Sequence, residues 1–144
     1  MSNSDPFDLT RFVEAQVGVF DVALAELRSG RKASHWMWFI FPQLRGLGHS
    51  PRAQFYGLAS LEEASAYLAH PLLGPRLLSA TDAVLQHASL TAHAIFGSPD
   101  DVKFHASMTL FARVSGDPKA PFEQAIAAFY GGIPHPGTLD LLAH

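Results

Sequence analysis

The 144-residue sequence contains no cysteine, and charged residues make up only 16% of it. The lack of cysteine excludes disulfide scaffolds, catalytic thiols and thiolate metal sites. The longest dense apolar run, from Trp36 to Phe41, is far shorter than the ~20 residues that a membrane-spanning helix needs. No basic segment leads into an apolar one at the N-terminus, so we predict no signal peptide. These absences favour a soluble cytoplasmic protein without a membrane partner.

A strong positive charge is also absent. The formal net charge is −3, whereas domains that bind nucleic acids in general are strongly basic. Acidic residues are missing between Glu26 and Glu62, although basic residues such as Lys32 and Arg52 occur there. We therefore expect no general nucleic-acid binding, and we take this acid-free window as the place to look for an anion site.

Helix-start and helix-stop signals recur along the chain. Ser60-x-x-Glu63 is a capping box. Ser98-Pro99-Asp100-Asp101 combines a cap, a proline and two acids, and predicts a helix that runs to about Val114. Asp117-Pro118 should open the last long helix, which Gly131-Gly132 should close.

No segment with an alternating pattern has a partner strand in the sequence. The hydrophobic content of 48% is that of a chain with an ordinary packed core, and the length fits one domain. The sequence therefore predicts an all-α fold. We expect one compact multihelical domain over residues 1–144, with about seven short-to-medium helices.

The segment from Ser34 to Gln43 is the most aromatic part of the chain and holds both tryptophans. Its composition favours a strand, whereas Ser34 as a cap favours a short helix. Because an isolated strand would leave its backbone groups unpaired, we predict a helix here. Its aromatic rings should bury a large area and mark the position of the core.

This aromatic segment also suggests a ligand site. A nucleobase or nicotinamide ring can stack on the indole of Trp36 or Trp38, while the Gln43 amide can both donate and accept on the ring edge. His35 lies within the segment, and Lys32 precedes it. The alternative is a core in which both indoles are satisfied by protein groups.

Lys103 and Ser107 are four residues apart on the predicted helix after Ser98, on a face that is otherwise apolar. A buried ammonium is costly unless it is paired, so Lys103 needs an acid, a ligand anion or a route to solvent. The alternative is a lysine whose stem packs while its charged end extends into water. The Lys-x-x-x-Ser spacing alone is weak evidence for a nucleophile and its base.

Arg76 follows His70-Pro71 within an apolar pattern. Its guanidinium suits a carboxylate or phosphate, although an ion pair with Asp82, Asp100 or Asp101 is equally consistent with the sequence. Histidine is the side chain that most often serves as a general acid or base, so His35 and His70 are the candidates for this role. None of the histidines has metal-ligand spacing, so we predict no metal and no cofactor.

Several motifs together resemble one known family. They are Asp5-Pro6-Phe7-Asp8-Leu9-x-Arg11-Phe12, Ser34 to Gln43, Gly46-Leu47-Gly48, His70-Pro71-Leu72-Leu73-Gly74-x-Arg76-Leu77, Phe96-Gly97-Ser98-Pro99-Asp100-Asp101-x-Lys103 and Phe129-Tyr130-Gly131-Gly132. The chain resembles the bacterial family known as domain of unknown function 1810, over nearly its whole length. The resemblance implies a compact multihelical fold and no established activity.

Members of that family are often labelled calpastatin, a label that does not fit because calpastatins are disordered and polar. A fainter similarity links the stretches from His70 to Leu77 and from Asp101 to Phe111 with helical domains that process ADP-ribose adducts. Those domains cut N-glycosidic bonds. The similarity is an analogy of fold and motif, so it suggests a reaction without assigning one.

Two functional hypotheses follow. The first is a pocket for a small anionic or nucleotide-like ligand, with N-glycosidic hydrolysis of ADP-ribose-type adducts as its enzymatic form. Its ligand-binding candidates are Lys32, His35, Trp36, Trp38, Gln43, Arg76, Lys103 and Ser107. Its catalytic candidates are His35, His70, Lys103 and Ser107. The alternative is a non-enzymatic helical module that binds a protein partner through an exposed aromatic patch.

Overall fold

A computed structural model describes residues 5–143, and within this range it confirms the all-α prediction. It contains ten helices there, of which seven have seven residues or more. Their bounds are α1 Thr10–Gln16, α2 Phe20–Arg28, α3 Met37–Ile40, α4 Pro51–Tyr56, α5 Leu61–Ala69, α6 Leu73–Leu85, α7 Ala92–Phe96, α8 Asp100–Ser115, α9 Pro121–Tyr130 and α10 Pro136–Leu142. None of these ten helices combines the length and the apolarity that crossing a bilayer requires.

Helix α8 lies at the centre of the fold, where it packs against α5, α7, α9 and α10. From Phe104 to Phe111 every residue except His105 is buried, as expected for a core helix that is apolar on nearly all faces. The Phe104 ring lies 4.6 Å from that of Phe96 and 4.9 Å from that of Phe41. These contacts join the first turn of α8 to the aromatic segment.

Most helix ends agree with the sequence signals. Ser60 Oγ accepts a hydrogen bond from the Glu63 backbone N–H at 3.1 Å, which confirms the capping box at the start of α5. The predicted helix after Ser98 is α8, and it runs to Ser115. Helix α9 ends at a glycine in the left-handed region, Gly131, with φ of 63°.

The predicted start of the last long helix at Asp117-Pro118 is wrong, because α9 begins only at Pro121. The Asp117 carboxylate accepts a hydrogen bond from the Lys119 backbone N–H at 2.9 Å, two residues further on. This is an Asx-turn, which uses the same residue types as a helix N-cap. The Asp117 side chain therefore accepts a backbone hydrogen bond as predicted, but in a turn before the helix.

The aromatic segment is helical only from Met37 to Ile40, so the helix prediction holds for four residues. Ser34 is not the cap of this helix. Its hydroxyl instead donates a hydrogen bond to the Glu26 carboxylate. Trp36 precedes the helix in a non-helical conformation, because the chain from Ala33 to Trp36 bends around that carboxylate.

Candidate ligand-binding site

The first residue of α8 brings two of the predicted lysines together. Asp100 Oδ2 lies 2.8 Å from Lys32 Nζ, and Asp100 Oδ1 lies 3.6 Å from Lys103 Nζ. The side chain of Lys32 is 8% exposed and that of Lys103 is 23% exposed. The acid that Lys103 needs is therefore Asp100, one turn earlier on the same helix, and the carboxylate also stabilises the helix N-terminus.

Trp36 is fully buried, and its indole is satisfied by the protein. Its Nε1 donates a hydrogen bond to Glu26 Oε1 at 2.8 Å, and Lys32 Nζ lies 5.2 Å from the centre of its ring. The ring leaves no surface for a stacked ligand, because none of it is accessible to solvent. This indole matches the alternative in which the aromatic segment belongs to the core.

Glu26 holds the chain around Trp36 in place. Besides the indole, its carboxylate accepts hydrogen bonds from the Ser34 hydroxyl and from the backbone N–H groups of Ala33 at 2.7 Å and Ser34 at 3.0 Å. Burial alone would raise the pKa of Glu26, but these donors outweigh it and lower the pKa to about 2. Glu26 thus remains a carboxylate at any physiological pH.

Trp38, two residues later, has the opposite environment. Its indole is half-buried, and Arg52 Cζ and Lys103 Nζ lie 5.0 Å and 5.1 Å from the centre of its ring. Its Nε1 is buried, and no group among residues 5–143 accepts its hydrogen bond. An indole N–H buried without an acceptor costs about 1–3 kcal/mol. This nitrogen is therefore a candidate hydrogen-bond donor to a ligand.

The Trp38 indole lines a small recess, which we call the Trp38 recess. Its lining residues are Met37, Trp38, Phe41, Gln43, Ala53, Tyr56, Gly57 and Lys103. The open volume is about 10 Å³, which is room for one water-sized group. The recess therefore admits a single oxygen atom rather than a ring. An indole, an amide and an ammonium, from Trp38, Gln43 and Lys103, are the hydrogen-bond donors in its wall.

A rigid frame supports the recess. The segment after Gln43 pairs with the end of α4 through an isolated parallel bridge, Leu44 to Leu58. Arg45 Nη2 and Arg11 Nη2 both donate to the Gly57 carbonyl, at 3.0 Å and 3.3 Å. Arginines at the last carbonyls of a helix are stabilising, so the two side chains fix the α4 end of the recess wall.

Arg11 is itself held firmly. Its Nη2 lies 2.6 Å from Glu63 Oε2, and both side chains are almost fully buried. All five of its N–H groups are used, since Nε donates to the Phe55 carbonyl and Nη1 donates to the carbonyls of Phe7 and Asp8. Such a pair is costly to break, so the frame beside the recess is stiff.

Ser107 is fully buried one turn beyond Lys103, and among residues 5–143 its hydroxyl has no hydrogen-bond partner. In particular, no hydrogen bond joins it to Lys103, whose ammonium faces Asp100. The Lys-x-x-x-Ser spacing therefore does not create a nucleophile with its base in this arrangement. Ser107 does not line the recess.

Arg76, His70 and His35 lie outside the recess lining, as do Lys32, Trp36 and Ser107. Arg76 Nη1 donates to Gln16 Oε1 at 3.1 Å. Among residues 5–143 it forms none of the ion pairs with Asp82, Asp100 or Asp101 that the sequence left open. His70 Nδ1 accepts hydrogen bonds from the Leu72 and Leu73 backbone N–H groups at 3.1 and 3.2 Å, at the start of α6. His35 is exposed. Of the three predicted cations, Lys32 and Lys103 meet at Asp100, and Arg76 does not join them.

Sequence reasoning did not identify four residues that form or support the site. They are Glu26, Asp100 as the partner of the lysines, Arg52 and Tyr56. The acid-free window pointed to Arg52 only as one cation among several. Glu26 bounds that window, but nothing in the local sequence indicates that it folds back onto residues 33–36. No group of three or more histidine, aspartate and glutamate side chains in the described range, residues 5–143, could hold a metal ion.

Comparisons with known proteins give a family and a neighbour. A family model described as "Protein of unknown function (DUF1810)" matches residues 6–142. A solved structure of a conserved hypothetical protein, Rv1873 from Mycobacterium tuberculosis, is 54% identical and superimposes with a TM-score of 0.94. That match covers 97% of this chain and 99% of the other. No curated protein matches the chain.

Proposed function

The chain belongs to the DUF1810 family, as its motifs predict, and from this premise we propose that it binds a small anionic, nucleotide-like ligand at the Trp38 recess. The observation that carries the proposal is the buried Trp38 Nε1, which has no acceptor among the described residues. An oxygen of a phosphate or carboxylate would accept this hydrogen bond. Lys103 beside it would supply the opposite charge.

The size of the recess indicates that only one part of the ligand would enter it. With about 10 Å³ inside, only an oxygen atom enters, and the rest of the ligand lies over the half-exposed indole. Arg52 contacts the same indole, and an exposed guanidinium gains only about 0.5–1 kcal/mol from such a contact. A planar ring can therefore replace Arg52 on the indole, or stack against it, at small cost.

Of the predicted ligand-binding residues, the proposal keeps Trp38, Gln43 and Lys103 as direct contacts. Lys32 and Trp36 become supporting residues, since Lys32 holds Asp100 and Trp36 is enclosed. A supporting role means that their substitution changes the free energy of unfolding more than the affinity. If the ligand instead bound to a general basic surface, substitution of Lys32 would weaken the affinity as substitution of Lys103 does.

Affinity measurements with three probes test the proposal: AMP, ADP-ribose and inorganic phosphate, by titration calorimetry and thermal shift. A ligand at a hundredfold excess over its Kd adds about 2.7 kcal/mol to the free energy of unfolding. Trp38→Phe and Lys103→Met should each weaken binding about tenfold or more, since each removes a hydrogen bond or ion pair to a charged group.

The matched control is Lys119→Met, an exposed lysine in the turn between α8 and α9, which should leave the affinity unchanged. Binding of AMP or ADP-ribose that Trp38→Phe abolishes would support the proposal. The proposal fails if none of the three probes binds, or if Lys119→Met weakens binding as much as Lys103→Met does.

N-glycosidic hydrolysis is the enzymatic form of this proposal. In that reaction water adds to C1 of the ribose and the amine leaves with a proton, so an acid or base must lie beside the ligand. His35, His70 and Asp100 are all outside the recess lining, but Asp100 contacts Lys103, which lines it. Asp100 would therefore have to supply this group, and release of ADP-ribose from a modified peptide by wild type but not by Asp100→Asn would support it.

The alternative function, a protein-interaction module, stays a prediction, but its contact surface would have to lie outside the aromatic segment. Trp36 is fully buried and Trp38 only half-exposed, so the aromatic segment does not offer a large apolar patch. The large apolar side chains that are exposed include Phe55 at 54% and Val17 at 74%. Single exposed side chains are normal on a monomer, and for this reason we favour the ligand site.

A further inference from the structure

A cluster of three titratable rings lies outside the recess, where the C-terminal segment meets α8. The His105 ring stacks on the Tyr130 ring, with 3.8 Å between their centres and 3° between their planes. The His135 ring meets His105 edge-on at 5.3 Å. All three side chains are half-buried, and they come from α8, α9 and the segment before α10.

Residues 133–142, which we call the C-terminal strap, depend on these histidines for their position. His105 Nε2 donates to the Ile133 carbonyl at 2.6 Å, and the His135 backbone N–H donates to Thr109 Oγ1 at 2.9 Å. His135 Nδ1 accepts the Thr138 backbone N–H at 3.1 Å and so caps α10. A nitrogen that accepts a hydrogen bond carries no proton, so this cap requires neutral His135.

The strap also has apolar attachments. Leu142 packs against the core, and Thr138 is fully buried. Leu141 Cδ1 lies 3.6 Å from the position that a β-carbon would take at Gly46, while Leu139 and Leu141 remain 38% and 40% exposed. The polar contacts at the start of α10 therefore act together with an apolar contact that buries only part of this helix.

A hinge precedes the strap. Gly131 and Gly132 have φ angles of 63° and 79°, and a β-carbon at either position would meet no atom within 4 Å. Glycine adopts these positive φ angles without strain, and here they let the Gly132 N–H donate to the Ile126 carbonyl at 3.0 Å and so close α9. The strap can therefore move away from α8 with α9 intact by rotation about the backbone bonds that follow this cap.

We propose that mild acid releases the C-terminal strap, because a proton on His135 Nδ1 removes the acceptor that starts α10. The same proton places a positive charge at a helix N-terminus, where the helix dipole is already positive. It also sets that charge beside His105, so a second proton on His105 would create like charges with ring centres only 5.3 Å apart. Each of these effects favours the released strap at low pH.

Within residues 5–143, no carboxylate forms an ion pair with His105 or His135. The exposed Glu123 of α9, which lines the same groove as Pro134 and Leu139 of the strap, is among these unpaired carboxylates. On α8, Asp101 lies one turn before His105, but its Oδ2 is 3.5 Å from Nδ1 of the exposed His93 and its Oδ1 accepts the Val102 N–H. On α9, burial raises the pKa of the Tyr130 hydroxyl, which stays neutral. On α10, Asp140 is exposed and forms no ion pair within residues 5–143.

Burial lowers the pKa of both histidines, and His105 lowers that of His135 further. The docked strap therefore binds protons less readily than the released strap. Docking is fully favoured above the ordinary histidine pKa of 6.5 and weakens as the pH falls below it. If release takes up one proton, its equilibrium shifts about tenfold per pH unit within the titration range.

Hydrogen exchange of the full chain measures this directly, at pH 7.5 and pH 5.5 and corrected for the intrinsic pH dependence of amide exchange. We expect amides 138–142 to lose protection at pH 5.5, while the amides of α5 and α8 keep theirs. His135→Asn should stay protected at both values, because Asn is a good N-cap and does not titrate in this range.

Two further variants complete the test. His105→Gln should reduce the pH effect in part, since it removes the second charge but leaves the His135 cap. His49→Asn, an exposed histidine in the turn before α4, should behave as wild type. The proposal is overturned if wild type keeps full protection of amides 138–142 at pH 5.5, or if His135→Asn loses it as wild type does.

Discussion

Trp36 and Trp38 are separated by one residue, yet their indole nitrogens have opposite environments. The Trp36 nitrogen donates to a carboxylate that several other groups also bind, whereas the Trp38 nitrogen is buried with no acceptor in the described chain. A protein that needed both rings only for packing would satisfy both N–H groups or expose them. The difference therefore separates a structural tryptophan from a candidate binding residue.

The largest effect should come from removing the carboxylate that satisfies Trp36. Glu26→Ala leaves the Trp36 indole and the backbone N–H groups of Ala33 and Ser34 without their acceptor. Since hydrogen bonds to a charged group are worth about 1.5–3 kcal/mol each and are not additive, we expect the free energy of unfolding to fall by about 3 kcal/mol. Urea denaturation followed by circular dichroism measures this loss.

The control for this change is Glu14→Ala, an exposed glutamate on α1, which should alter the free energy of unfolding by no more than about 0.5 kcal/mol. If both alanine variants have the same stability, the carboxylate at position 26 does not hold the segment. The contrast between the two tryptophans would then lose its physical basis.

The helices of this chain could be predicted from their ends. Ser60 and Gly131 act through residues within a few positions, so local sequence contains the information. Ser98-Pro99 predicted the helix α8 but not its cap, because Pro99 occupies the N-cap position and no side chain caps the helix. Asp117-Pro118 gave the wrong start for α9 because an Asx-turn and a helix N-cap need the same short acceptor side chain. The fold prediction therefore failed where one residue type serves several local structures, at Asp117-Pro118 and at Ser34, whose hydroxyl binds Glu26 instead of capping a helix.

The candidate site was harder to predict because its contacts join distant parts of the chain. The acid-free window pointed to Lys32 and the tryptophans, and the apolar face of α8 pointed to Lys103. Nothing local indicates that Asp100 joins the two lysines, or that Arg76 turns to Gln16 instead. A side chain's partner depends on tertiary packing, which residue spacing along a helix does not encode.

The second largest effect should be the difference in the free energy of unfolding between two matched substitutions, one at each tryptophan. Trp36→Phe removes a donor from Glu26 and leaves space in the core, so the free energy of unfolding should fall by about 2 kcal/mol. Trp38→Phe removes an N–H that has no protein acceptor, so it should cost less than about 1 kcal/mol. Chemical denaturation of both variants under the same conditions gives the difference directly.

Ligand affinity should show the reverse order in these two variants. Trp38→Phe should weaken binding of any ligand of the recess, while Trp36→Phe should leave the affinity close to that of wild type at a temperature where it is folded. Equal losses of stability in the two variants would mean that the Trp38 nitrogen is satisfied in solution by some other group. The assignment of the two roles would then have to be abandoned.

The smallest effect is the pH dependence of the Glu26 contribution. Because the pKa of Glu26 is lowered from 4.5 to about 2 in the folded chain, the unfolded chain takes up the proton first as the pH falls. The stabilisation is therefore complete above pH 4.5 and is lost progressively down to about pH 2. The effect is smaller than that of Glu26→Ala, since a protonated carboxyl group still accepts hydrogen bonds.

Glu26→Gln separates this contribution from general acid unfolding, because glutamine keeps an acceptor oxygen and does not titrate. Melting temperatures of wild type and Glu26→Gln, measured from pH 6 downward, should differ most at pH 6 and converge as the pH approaches 2. A gap that stays constant over this range would mean that Glu26 titrates alike in the folded and unfolded chains. In that case the hydrogen bonds from Ser34, Ala33 and Trp36 would not favour its charged form, and the charge of Glu26 would not be what distinguishes the environment of Trp36 from that of Trp38.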